Sequence, residues 1–328
     1  MKNRILGDNL TVSPVGLGCM GFSHAYGAPT DLKTASYAIG QAVEMGYTFF
    51  DTAECYIGEN PDGTINCNEE LVGQALAPYR DKVKIATKCG VRHENRQIVT
   101  DSRPEILRAS IEGSLRKLGT DHVDLYYQHR IDPAVTPEEV AQLMSDLIRE
   151  GKILHWGISE TTEEYLRRAH AVCPVTCIQN RYSMMARWNE KLFPVLEELN
   201  VGFVAFSPLA NGILSDAFAK GEAFDGADYR SVMPQYSDEA FEQNRELFLF
   251  IRTLAAEKEA TPAQISLAWM LAKKPYIVPI PGSRRIERMK ENFGASEVCL
   301  TKEEVAAIDA KLEQIETSAV FGGSPVRK

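Results

Sequence analysis

Eight short apolar runs, each followed by a stretch with helical spacing or by a loop, constrain this 328-residue chain more than any other feature. The runs cover residues 15–19, 47–51, 83–88, 123–129, 153–159, 175–179, 201–207 and 276–280. Short apolar strands alternating with amphipathic helices favour a parallel sheet whose faces are covered by those helices. Helical spacing runs through residues 34–45 (TASYAIGQAVEM), 69–76, 103–118, 137–151, 162–170, 191–199, 238–257 and 261–271. A proline at the head and a glycine at the tail punctuate 137–151. Eight units select a closed (β/α)8 TIM barrel, in class α/β, over an open doubly wound sheet. No Gly-x-Gly-x-x-Gly opens a helix after the first strand in the way the dinucleotide unit of the open sheet requires. Barrels of this kind run past about 250 residues undivided, and one domain is expected over residues 1–328. Ahead of the first barrel strand, Gly7-Asp8-Asn9 divides two extended stretches and predicts an N-terminal β-hairpin.

Two segments exceed a minimal barrel: IGENPDGTINC at residues 57–67, after the second strand, and residues 213–236, after the seventh. Both leave the C-terminal rim of the strands, where the active-site loops of a barrel gather. The tail, residues 312–328, has two readings: it folds over that rim, or it is disordered.

Charge and composition narrow the functional classes. A formal net charge of -9 argues against wide contact with nucleic acid or an anionic membrane, while leaving room for a local basic pocket. No apolar run reaches the roughly 18 residues of a membrane span, and the N-terminus lacks a secretory pattern, so the cytoplasm is the expected location. Seven scattered cysteines read as reduced thiols, and Cys173 and Cys177 lack the further ligand pair a zinc site requires. No surface feature announces an oligomeric interface.

Polar residues collect where the apolar runs end. Asp51 closes the second run, Tyr56 follows five residues on, Lys88 closes the third and His129 the fourth. A barrel brings those ends to one rim. There a carboxylate beside an ammonium compensates its charge, and an ammonium beside a phenol favours the phenolate and lowers the cost of proton release. Tyr56 is thus a candidate general acid, and His129 a group that fixes a carbonyl or assists proton transfer. Each also has a structural account: a salt bridge for Asp51 and Lys88, a packed ring for Tyr56, a cap for His129.

A second constellation suits phosphate. IPGSRRIERMKEN, residues 280–292, passes from a strand through Gly282-Ser283 into an expected helix bearing Arg284, Arg285 and Arg288. Helix-start amides, the Ser283 hydroxyl and guanidinium forks four residues apart on one face would hold a ribose-attached phosphate; a solvated turn balanced by Glu287 and Glu291 is the alternative. At the seventh strand end, Phe206 suits a ring-covering role or core packing, and Ser207 with the loop through Asn211-Gly212 suits phosphate or ribose. Ser159 and Gln179, also at strand ends, suit a planar carboxamide or a structural turn. Trp188 follows the sixth strand in an irregular segment and is a candidate substrate wall.

Together, GLGCMG, DTAECY, NEELVGQAL, KIATK, SLRKLGTDHVDLYYQHR, GKILHWGISE, IQNRYS, FSPLANG and IPGS…EN, in order over residues 3–311, resemble the aldo-keto reductase superfamily, most of all the branch related to potassium-channel β-subunits. The resemblance implies a tetrad of Asp51, Tyr56, Lys88 and His129, with Tyr56 donating the proton, Lys88 assisting it, Asp51 orienting Lys88 and His129 orienting the carbonyl. It implies NADPH as cofactor and no catalytic metal. Ser159 and Gln179 would meet the nicotinamide carboxamide, with Phe206 beneath the ring in place of the commoner tyrosine or tryptophan. Ser207, Leu209 and Gly212 would lie near pyrophosphate; Gly282, Ser283, Arg284 and Arg288 near the 2′-phosphate; and Asn292 beside adenine. Gly282 stands where several relatives have lysine. The expected partner is a small carbonyl or alcohol. An NAD(H)-linked sugar, polyol or steroid dehydrogenase and a cofactor-binding regulatory protein are the alternatives.

Overall fold

A computed structural model describes residues 3–94, 97–224, 226 and 228–322. Its centre is one sheet of eight strands: Leu17–Gly18, Phe49–Asp51, Lys84–Cys89, Val123–Gln128, Ile153–Ser159, Cys177–Arg181, Gly202–Phe206 and Ile277–Pro279. They lie side by side in chain order and every pairing is parallel. The first and last strands also meet. Gly16 N–H donates to the Pro279 carbonyl at 3.0 Å, and Gly18 bridges Gly282 in the parallel sense. A Cβ on Gly18 would stand 2.9 Å from the Ile280 carbonyl oxygen, so this closure requires a residue without one.

Side chains alternate between the two faces of each strand, and the consequence is a division into two cores. Val15, Leu17, Phe50, Ile85, Val123 and Phe203 belong to the core between sheet and helices. Phe49, Ala86, Leu125, Cys177, Val204 and Val278 fill the interior of the barrel. Leu6, Leu10 and Val12 of the hairpin Arg4–Leu6 and Leu10–Val12 join that interior cluster. They enter at the strand starts: a Cβ on Gly202, the first residue of the seventh strand, would meet Leu6 Cδ2 at 2.5 Å. The hairpin therefore plugs the N-terminal end and leaves the C-terminal end for chemistry.

Several boundaries differ from those the sequence predicts. Residues 57–67 form a hairpin, Ile57–Glu59 against Ile65–Cys67, because Asp62 accepts from Thr64 N–H and Gly63 takes a φ of 82° to turn the chain. A second hairpin, Val91–Glu94 with Gln97–Thr100, rises after the third strand where the sequence reading placed no element. The helical stretch 238–257 divides at Asn244 into Asp238–Gln243 and Arg245–Glu257. The basic helix begins at Ile286, with Arg285 as its N-cap, so Arg284 lies outside it and shares no helical face with Arg288.

Residues 312–314 finish the helix Lys302–Gln314, which packs Ile308 and Leu312 into the outer core. Beyond it, Ser318 exchanges hydrogen bonds with Asn244, and Phe321 N–H donates to Gln235 Oε1 at 2.8 Å. The tail thus crosses to the segment that follows the seventh strand; its residues 323–328 lie outside the described residues. No described helix is long and apolar enough to cross a membrane.

Candidate active site

Followed upward, the interior positions change character. Phe49 is succeeded two residues on by Asp51, Ala86 by Lys88, Tyr127 by His129, Gly157 by Ser159, Cys177 by Gln179, and Val204 by Phe206. An apolar floor therefore passes into a polar mouth by the period of two alone.

At the centre of that mouth the Lys88 ammonium, fully buried, donates to Asp51 Oδ1 at 2.5 Å, to the Thr52 carbonyl at 2.7 Å and to the Tyr56 hydroxyl at 3.1 Å. Gln179 Nε2 donates to the other Asp51 oxygen at 2.7 Å. Burial alone would lower the Lys88 pKa; Asp51 and Tyr56 outweigh it, and the ammonium is held charged. For Tyr56 the balance is reversed. Burial pushes the phenol up to about 12, and the pull of Lys88 is too small to offset it. The ammonium eases ionisation as the sequence led one to expect, burial outweighs it, and the phenol keeps its proton at neutral pH.

His129 lies against Tyr56, with ring centroids 5.9 Å apart and nearly perpendicular planes. Burial, then the charges of Arg130 and Lys88, hold its pKa well below the ordinary value, so the ring is neutral at pH 7. Its Nδ1 stands 3.5 Å from Cys55 Sγ. Burial pushes the Cys55 thiol up to about 12, so the sulfur carries a hydrogen that the neutral ring can accept at Nδ1 in one of its two tautomers. In that tautomer the ring proton sits on Nε2, where it can donate to a carbonyl oxygen. Cys55→Ala, which removes the donor, is expected to lower carbonyl turnover about 5- to 10-fold, and Cys55→Ser, which retains one, by less than about 3-fold. Equal losses in steady-state assays of the two variants would count against this tautomer assignment.

The other positions singled out in the sequence fall as follows. Ser159 Oγ accepts from Arg130 at 3.1 Å, and Phe206 is half-buried at the seventh strand end. Ser207, Ala210, Asn211 and Gly212 all have positive φ, which winds the loop from Ser207 through Leu209 to Gly212 into a tight turn. Gly282 lies at the barrel closure. Ser283 Oγ accepts from Arg285 N–H, and Arg288 pairs with Glu291 at 2.5 Å. Asn292 is buried in the helix Ile286–Gly294. Trp188 stays 51% exposed at the head of a 3-10 turn after the sixth strand. Arg284 donates from both terminal nitrogens to backbone, to Ala28 O at 2.8 Å and Tyr26 O at 2.7 Å. The loop after the first strand therefore occupies its guanidinium.

Sequence reasoning passed over three residues, Arg181, Tyr26 and His24. Arg181, 4% exposed, sits with its guanidinium carbon 4.9 Å from the Phe206 ring centroid and makes no ion pair among the described residues. It lies two residues beyond Gln179, so the same alternation could have found it. Tyr26 and Asn211 join the loops after the first and seventh strands through a hydrogen bond of 3.1 Å, and Tyr26 pairs with Asp228 as an isolated bridge. His24 lies parallel to the Tyr56 ring. No local signal marks either of these last two.

A closed eight-stranded barrel with a charged ammonium hydrogen-bonded to a protonated phenol at its C-terminal mouth defines a class, a barrel protein equipped for proton transfer to a bound small molecule. The family model described as "Aldo/keto reductase family" matches residues 14–313, and the chain belongs to that family. It is 36% identical over 317 residues to a probable aldo-keto reductase 1 of Glycine max, covering 95% of this chain and 88% of that protein. Among solved structures, it resembles a glycerol dehydrogenase from Gluconobacter oxydans, with a TM-score of 0.82, 27% identity, and 98% and 97% of the two chains covered. It also resembles the holo form of an aldo-keto reductase from Bacillus halodurans, with a TM-score of 0.74, 28% identity and 98% of each chain covered.

Proposed function

We propose that this chain reduces an aldehyde or ketone to the alcohol with NADPH, Tyr56 supplying the proton. The observation that carries the reading is the hydrogen-bonded series Asp51, Lys88, Tyr56 beside a neutral His129. Negative charge gathers on a carbonyl oxygen as the carbon is reduced, and groups fixed in advance around that oxygen stabilise it without reorganising. His129 Nε2–H and the Tyr56 hydroxyl are two such donors. As Tyr56 releases its proton, the phenolate forms 3.1 Å from the Lys88 ammonium, which Asp51 and Thr52 hold in place. Oxidation of the alcohol is the reverse.

The residues at the mouth suit a phosphorylated nicotinamide dinucleotide, which when bound supplies the hydride. Arg181 is a buried cation that makes no ion pair among the described residues, and the left-handed turn from Ser207 to Gly212 presents a concavity of backbone groups suited to anionic oxygen. Phe206 offers an aromatic surface for the nicotinamide, and Ser159 and Gln179 polar groups for its carboxamide. Ser283, Arg284 and Arg288 are the groups offered to the 2′-phosphate, and Arg284 also holds the neighbouring loop at 26–28.

Arg288→Ala is expected to weaken NADPH binding about 10-fold or more, the worth of one charge-assisted contact, and to leave NADH binding nearly unchanged. Fluorescence titration of both cofactors checks this; equal losses would remove Arg288 from the phosphate site. The reading as a whole is tested by NADPH consumption with a panel of reactive aldehydes and 1,2-dicarbonyls. Cofactor binding without turnover across that panel would favour a regulatory protein.

A further inference from the structure

The wall beside Tyr56 carries an imidazole that the reaction as derived does not use. His24, in the loop after the first strand, lies parallel to the Tyr56 ring, with centroids 6.2 Å apart and planes 12° apart. His93, from the hairpin after the third strand, stacks on His24 at 5.2 Å, and Tyr229, from the segment after the seventh, meets it edge-on at 5.6 Å. Three rim segments thus fix one ring next to the proton donor.

The hydrogen-bond partner of that ring decides its chemistry. His24 Nδ1 lies 2.9 Å from the Ile57 carbonyl, and a carbonyl oxygen can only accept, so Nδ1 carries the hydrogen. Burial lowers the His24 pKa, and the ring is neutral at pH 7. A neutral imidazole with its hydrogen on Nδ1 has a lone pair on Nε2. No donor reaches Nε2 among the described residues, and His24 is not fully buried. It is an acceptor waiting for a donor.

We propose that His24 Nε2 accepts a hydrogen bond from a hydroxyl group of the substrate, and that this site therefore selects carbonyl compounds bearing a hydroxyl next to the reacting carbon. The inference rests on the reductase reading above. Tyr56 and His129 supply hydrogens to the carbonyl oxygen, and His24 accepts one from the neighbouring oxygen. A hydroxy-carbonyl is complementary to that set of donors and acceptor, whereas a hydrocarbon chain leaves the nitrogen desolvated and unpaired.

The test compares hydroxyacetone with methoxyacetone at saturating NADPH. Both carry an electron-withdrawing oxygen beside the carbonyl, so intrinsic reactivity is close, but only the first can donate. The unaltered protein is expected to favour hydroxyacetone about 10-fold in kcat/KM, the worth of one neutral hydrogen bond in a partly shielded site. In His24→Phe, which keeps an aromatic ring against Tyr56 and His93, that ratio is expected to fall towards one. The ratio is taken within each protein, so a general loss of activity does not disturb it. A ratio near one in the unaltered protein, together with turnover of a 1,2-dicarbonyl, overturns the role of His24 and leaves the reductase reading standing; so does a ratio unchanged in His24→Phe. No turnover of any carbonyl by the unaltered protein overturns the reductase reading, and the inference falls with it.

Discussion

Tyr56→Phe is expected to lower carbonyl turnover by at least about 10²-fold, the low end for the loss of a general acid, while cofactor binding and the fold persist. The substitution removes one oxygen and keeps the ring, so the contacts with His129 and His24 survive. What is lost is the hydrogen that burial keeps on the phenol and the hydrogen bond through which Lys88 would steady the phenolate. The measurement is single-turnover NADPH oxidation with a reactive aromatic aldehyde, beside a direct cofactor titration and circular dichroism. Turnover equal to that of the unaltered protein would remove Tyr56 from the chemistry. A fall in cofactor affinity large enough to account for the lost rate would instead make it a binding residue.

A second large effect is expected at Lys88, where stability and turnover should separate. Lys88→Met fits the same buried space but leaves Asp51 as a buried carboxylate without its cation. Breaking such a pair from one side costs about 3–5 kcal/mol. The phenol also loses the ammonium beside it, so turnover should fall by at least about 10²-fold as well. Asp51→Asn combined with Lys88→Met removes both charges, and most of the stability should return because no unpaired ion remains. Turnover should not return. Urea unfolding of the three proteins checks the first half and steady-state kinetics the second. A single variant as stable as the unaltered protein would show that Lys88 does not compensate Asp51, and recovery of turnover in the double variant would show that the ammonium is dispensable to Tyr56.

Much of the architecture could be read from residue order because it rests on local periodicity. Apolar runs at 83–88 and 123–129 with helical spacing between them admit little besides a strand, a crossover and a parallel strand. Eight such units close into a barrel, and closure puts residues 51, 88 and 129 on one rim. The side-chain alternation that sends Ala86 and Lys88 inward is equally local, and it would have found Arg181 two positions beyond Gln179. Short-range chemistry misled in one place: Gly282-Ser283 followed by arginines looks like a helix start, yet the helix begins at Ile286 and leaves Arg284 outside.

What tertiary structure alone decided are contacts between residues far apart in the chain and the balance of burial against charge. Cys55 and His129 lie 74 positions apart, and the thiol stands 3.5 Å from the ring's Nδ1. Arg284 reaches carbonyls of a loop 256 and 258 positions away, contacts its spacing in the sequence did not suggest. The Lys88 ammonium and the Tyr56 phenol were both visible in sequence, and their proximity argued that the ammonium lowers the cost of proton release. Only the packed structure adds the desolvation that outweighs that pull. Periodicity acts through neighbours along the chain and is written in residue order, whereas desolvation depends on every atom that closes over a group, and that is settled when the barrel and its rim loops have packed.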